Sequence, residues 1–209
     1  MSSALKVVAA VVALGLLATP TWAIGITNGD FGLGLTGWSA PFGSVSVVGG
    51  WAVLDESTAI TRLEQQFVIP GSAVSLSFDY ALVFAPGELT GGPPDSFTAS
   101  LLGPTPPYNP LRSTPGYSDF FYEDSSGSQS YDSSIVTVVG STVTLDLSGL
   151  SGQDALLSFD LFGYDDGYVA QAKVDNVKTT ESVIPEPITA VGISLTLAAA
   201  GMYARRRRS

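Results

Sequence analysis

Carboxylates, hydroxyls and aromatic rings make up most of what could do chemistry in this sequence. Nineteen Asp and Glu stand among 209 residues, with no histidine and no cysteine. Lack of histidine removes the usual general base at neutral pH and the commonest metal ligand. Lack of cysteine removes thiolate chemistry and disulfides. Two carboxyl groups about 5 Å or 6.5–9.5 Å apart across a cleft would suit glycoside hydrolysis, but no spacing here selects a pair. A serine nucleophile would have to take Lys173 or Lys178 as its base, and no motif supports that dyad. Asp165-Asp166-Gly167 lacks the alternating acids and terminal Glu of a calcium loop, and Asp-Gly is an ordinary hairpin turn. The chain reads as a non-enzyme. Sugar binding asks instead for ring platforms beside a few polar groups. Trp51, Tyr108, Tyr117, Phe120, Phe121, Tyr122, Tyr131 and Tyr164 are the rings available for it.

Strands must position these groups, because between residues 24 and 183 short apolar alternations are broken by Gly, Pro, Asn and Asp, with no amphipathic helix. Residues 45–48 and 51–54 flank Gly49-Gly50, a two-residue hairpin signal. Residues 62–69 end at the turn pair Pro70-Gly71. Along 73–84, Val74, Leu76, Phe78, Tyr80 and Leu82 alternate with Ser75, Ser77 and Asp79, the clearest period-two strand. Strands are also expected at 97–102, 135–139, 142–147, 156–162 and 168–178. Five prolines within 103–116 make that stretch a loop. The polar stretch 118–134 reads as part exposed loop, part edge strand. Eight or nine strands with turns at this spacing predict an all-β, antiparallel β-sandwich of jelly-roll type. Phe78, Tyr80, Leu145, Leu147, Phe159 and Leu161 should face its interior.

The two ends have a different character. Lys6, an apolar run over residues 7–18 and the small residues of Thr21-Trp22-Ala23 form a secretory signal peptide, residues 1–23, cleaved after Ala23. Residues 24–183 are then the domain. It holds four cations (Arg62, Arg112, Lys173, Lys178) against eighteen acids, a balance of −14. Such a surface excludes nucleic acid, which demands a basic footprint. Residues 184–209 comprise Pro185-Glu186-Pro187, an uncharged stretch over 188–204, and Arg205, Arg206, Arg207 and Arg208. Seventeen residues without a charge reach the lower limit for a transmembrane helix. Arginines resist entry into hydrocarbon and hold that end on the cytoplasmic side.

These three parts in this order resemble the PEP-CTERM sorting signal of exported proteins in Gram-negative bacteria that make exopolysaccharide. The resemblance implies Sec-type export, transient anchoring in the inner membrane and processing by an exosortase near Glu186. Release to the cell surface or extracellular matrix follows, in company with exopolysaccharide or biofilm. The domain's edges carry a second resemblance. Thr27-Asn28-Gly29-Asp30-Phe31 with Gly37-Trp38, and Asp175-Asn176-Val177 near the far end, look like the first and last strands of carbohydrate-binding modules and galactose-binding-like jelly rolls. Those domains often hold a structural Ca²⁺ between these strands, which nominates Asp30 and Asp175 as ligands, with nearby carbonyls. The reading is of a non-catalytic exported surface or matrix protein. A carbohydrate-binding module is the alternative, and a polysaccharide hydrolase a third.

Overall fold

The computed structural model describes residues 23–84, 93–163 and 169–181. The leader before Ala23, Tyr164 to Gly167, the Pro185-Glu186-Pro187 box, the 188–204 stretch and the four arginines lie outside them. Among the described residues there are fourteen strands and no helix, so none long and apolar enough to cross a membrane.

The strands form a two-sheet sandwich. In the first sheet the order is β1 (Ala23–Ile24), β5 (Ile60–Val68), β13 (Asp154–Phe162), β7 (Ser96–Leu102), β9 (Phe121–Asp124) and β10 (Gln129–Tyr131). Two further strands join it, β2 (Ser39–Phe42) on β5 and β8 (Pro110–Arg112) on β7. The second sheet runs β11 (Val136–Val139), β12 (Thr142–Asp146), β6 (Ala73–Val83), β14 (Gln171–Glu181), β4 (Trp51–Asp55) and β3 (Ser44–Val48). Its pairings are all antiparallel, as are those of the first sheet except β1 with β5.

Alternation along the strands sends one set of side chains between the sheets. Phe78, Tyr80, Leu145, Leu147, Phe159 and Leu161 are all buried there, as their pattern requires. Phe159 is the hub of the packing. Its ring lies 4.8 Å from that of Phe78, 6.1 Å from Trp38 and 6.2 Å from Phe97. Tyr80 sits at the rim of this cluster and donates its hydroxyl to Glu123 Oε2 at 2.6 Å. Burial, helped by that carboxylate, pushes the phenol above its ordinary range.

Four departures from the sequence expectations have physical causes. The additional strands are two to four residues long, too short for period two to show, and exist only because a longer neighbour offers a free edge. The proline stretch is not loop throughout, since Pro110 and Arg112 pair with the end of β7. Proline is tolerated there as the first residue of an edge strand. The polar stretch 118–134 contributes two paired strands, β9 and β10, where the sequence predicts a single edge strand. At the start of β6, Val74 is 42% exposed while Ala73 turns inward. A register shift opposite Ala73, between Thr180 and Glu181, re-aims the side chains at that end.

The segment before β2 is tied to both sheets. Gln65 is buried, and its amide accepts from Thr27 N at 2.8 Å and donates to the Thr27 and Gly37 carbonyls. From the other sheet, Val177 N donates to Gly29 O at 2.9 Å. Phe31 and Trp38 bury their rings against each other, 5.2 Å apart. Phe31 does so with φ near 51°, a backbone state costly for a bulky residue and held by that burial.

Candidate functional site

The hairpin around Gly49-Gly50 starts the site. Both glycines have positive φ, which a tight two-residue turn between twisted strands needs. The turn sets Val48 opposite Trp51. Alternation then places Ala52 and Leu54 in the core and leaves Trp51, Val53 and Asp55 on the outer face of the second sheet. On β14, Ala172 and Val174 go inward while Gln171 and Lys173 face out beside them.

Pairing between strands distant in sequence brings these residues together. Ser46, Val53, Lys173 and Ala81 form one row across four strands, and Asp55 stands opposite Gln171. Two of the row are small, and the face dips there into a hollow of about 540 Å³. Its lining is Ser46, Val48, Trp51, Val53, Asp55, Ala81, Gln171 and Lys173. Gln171 Nε2 donates to Asp55 Oδ1 at 2.7 Å, which orients both groups. Lys173 has no ion-pair partner among the described residues. An indole face, an oriented amide and carboxylate, and an uncommitted ammonium therefore share one open hollow. This set can stack against an apolar ring face and exchange hydrogen bonds with hydroxyls around it. The lining contains one carboxylate, whereas hydrolysis of a glycosidic bond calls for a facing pair.

The other proposed rings divide. Phe120 and Phe121 are fully buried and are core, not platforms, because both turn in against Phe78. Tyr131 packs its ring 6.3 Å from Phe121. Tyr122 donates to Asp124 Oδ2 at 3.0 Å. Burial works to lift the Asp124 pKa, but donors from Ser126, Ser128 and Tyr122 take it below the usual carboxylate range. Tyr108 and Tyr117 are exposed. Tyr164 lies outside the described residues.

Asp30 and Asp175 sit at the junction of the two edge motifs, where Gly29 meets Val177. Asp30 Oδ1 accepts from Gly32 N at 3.2 Å, and Asp175 Oδ1 from Asn176 N at 2.6 Å. The nearby carbonyls of Asn28 and Gly29 already accept from Trp38 Nε1 and Val177 N. Among the described residues no three His, Cys, Asp or Glu side chains gather as a metal site. Calcium takes six to eight oxygens, so a site on Asp30 and Asp175 would draw its remaining ligands from backbone carbonyls and water.

No family model and no curated protein matches the sequence. Among solved structures, the chain is similar to a CBM4 structure, at 13% identity and a TM-score of 0.41, over 73% of this chain and 99% of that one. It is similar also to the K3 adhesin domain of Lys-gingipain from Porphyromonas gingivalis w83, at 13% identity and a TM-score of 0.41, over 75% and 99%. A third is CBM28, a carbohydrate-binding module specific for non-crystalline cellulose, at 12% identity and a TM-score of 0.40, over 78% and 98%.

Of the hollow's residues, the sequence reading names Trp51 alone among the rings. Asp55 could have been found, being four residues along the same strand and so on the same face. Gln171 and Lys173 carried no local signal, because their place beside Trp51 depends on β14 pairing with β4.

Proposed function

We propose that this protein is a glycan-binding module whose site is the Trp51 hollow. The observation that carries the reading is the meeting of the indole with the Gln171–Asp55 pair and the unpaired Lys173 on one open sheet face. Pyranose rings have apolar faces and hydroxyl edges, and the hollow offers a partner for each. Polar groups fixed before binding cost little ordering entropy when ligand arrives. Binding of full-length protein to soluble xylan, β-glucan and galactomannan tests this. Trp51→Ala should weaken the affinity by about thirtyfold, roughly 2 kcal/mol, as loss of a central aromatic anchor does. Unchanged affinity in that variant, or no binding by the wild type, ends the reading.

Sorting through the tail is a separate proposal about address, and it rests on the sequence alone. Pro185-Glu186-Pro187, the uncharged stretch 188–204 and the four arginines support export with exosortase processing, delivering the module to a surface or matrix rich in exopolysaccharide. Proline on each side of Glu186 keeps the backbone extended and open to a processing enzyme. Mass spectrometry of the mature C-terminus should find cleavage near Glu186 in cells with an exosortase and none in cells without it. An intact Arg208 end in both would refute the sorting proposal and leave the glycan reading untouched.

A further inference from the structure

The outer face of the first sheet carries a second set of groups that the Trp51 hollow does not use. Arg62, Asp160, Thr98 and Tyr122 form a row across β5, β13, β7 and β9, and Glu64, Ser158 and Ser100 form the row beside it. Arg62 Nε and Nη2 donate to Asp160 at 2.5 and 3.2 Å, and Ser158 Oγ donates to the same carboxylate at 3.1 Å. Nη1 has no protein partner among the described residues. Burial disfavours the charge on Arg62, but the Asp160 bond and charge together with the nearby Glu64 and Tyr108 outweigh it and raise the guanidinium pKa.

One exposed ring stands over the guanidinium and a second lies in its vicinity. Phe42, on β2, lies with its ring centroid 5.7 Å from the Arg62 guanidinium and is 55% exposed. Tyr108, 47% exposed, comes from the proline segment after β7, and its phenol lies within electrostatic reach of Arg62. The segment between Leu102 and Pro110 turns back on itself, Gly103 N donating to Asn109 O at 2.8 Å and Tyr108 N to Thr105 O at 2.9 Å. Its backbone holds Tyr108 at φ near 50°, a strained state for a tyrosine and one that concentrates at binding sites. Ser158, Asp160, Thr98 and Ser100 point outward yet are all buried, so they form the floor under these larger groups. A hydroxyl-rich floor, a pinned guanidinium and two exposed rings repeat the chemistry of the first hollow with different residues.

We infer that the Phe42–Arg62–Tyr108 surface is a second glycan-binding site, and that the protein therefore bridges two polysaccharide chains. Outer faces of a sandwich point in opposite directions with a core about 10 Å thick between them. One short glycan cannot lie on both, so occupancy of both cross-links. The inference rests on the glycan reading of the Trp51 hollow, and its test separates the two. Calorimetry of the full-length protein with an oligosaccharide, cut from whichever of xylan, β-glucan or galactomannan binds, should give two equivalents. Trp51→Ala should leave one. Phe42→Ser with Tyr108→Asn, the latter chosen because asparagine tolerates positive φ, should also leave one. Wild type should raise the light scattering of the parent polysaccharide, and either variant should abolish that rise. One equivalent in the wild type overturns the inference, as does unchanged stoichiometry in the Phe42/Tyr108 variant at wild-type melting temperature. Loss of all binding in Trp51→Ala also overturns it, while the first site stands. Should the double variant not fold, Tyr108→Asn alone reads the same stoichiometry.

Discussion

Phe159→Ala should cost about 3–5 kcal/mol of folding free energy, the range for truncating a buried aromatic residue. The ring is fully buried and lies against three others, from Phe78 in the second sheet and from Trp38 and Phe97. Those neighbours belong to both sheets and to the segment before β2, so collapse around the void would have to move several elements together. Partial relaxation leaves a cavity, whose lining has lost its contacts on one side. Urea unfolding followed by fluorescence and circular dichroism measures the loss. Tyr117→Ala serves as the control, because that ring is 63% exposed and its removal should stay within about 0.5 kcal/mol. A loss below 1 kcal/mol for Phe159→Ala would contradict the packing described here.

Gly29→Ala is expected to be nearly as damaging, by a different route. A Cβ at Gly29 would stand 1.8 Å from the Val177 carbonyl oxygen and 2.8 Å from its carbon. Both are backbone atoms of β14, which pairs with β6 at Asp175 and at Lys178 on either side of Val177, so moving them away disturbs that pairing. The junction must open, and the Val177 N–Gly29 O bond goes with it. Overpacking together with a broken buried hydrogen bond comes to about 3 kcal/mol. Trp38 donates to Asn28 O beside this junction, so tryptophan emission should shift to the red as water reaches the indole. Gly71→Ala provides the comparison, since the nearest atom to a Cβ there is a serine hydroxyl at 3.8 Å. Equal stabilities for the two alanine variants would show that the close approach at Gly29 is not a constraint.

Both effects bear on function through the same β14. Residues 171–174 of that strand carry Gln171 and Lys173 into the hollow, and residue 177 anchors the segment that buries Trp38. Damage at Gly29 should therefore reach the site by loosening β14, while Trp51→Ala should weaken binding at the hollow and leave the fold intact. Measuring stability and affinity on the same variants separates these two kinds of loss.

What could be read from the chain alone was whatever depends on near neighbours. Alternation along 73–84 and 142–147 assigned Phe78, Tyr80, Leu145 and Leu147 to the interior, because successive side chains of a strand leave opposite faces. Gly49-Gly50 announced its hairpin because few other dipeptides accept two positive φ angles in succession. Missing histidine and cysteine closed off whole classes of chemistry without any coordinates. Tertiary structure alone decided who stands beside whom. It placed Lys173 beside Val53 and Ala81, Arg62 against Asp160, and Phe120 in the core instead of on the surface. Strand order and register arise from hydrogen bonds between segments roughly a hundred residues apart, and no local period encodes which edges will meet. A binding face assembled from four strands is for that reason invisible until they pair.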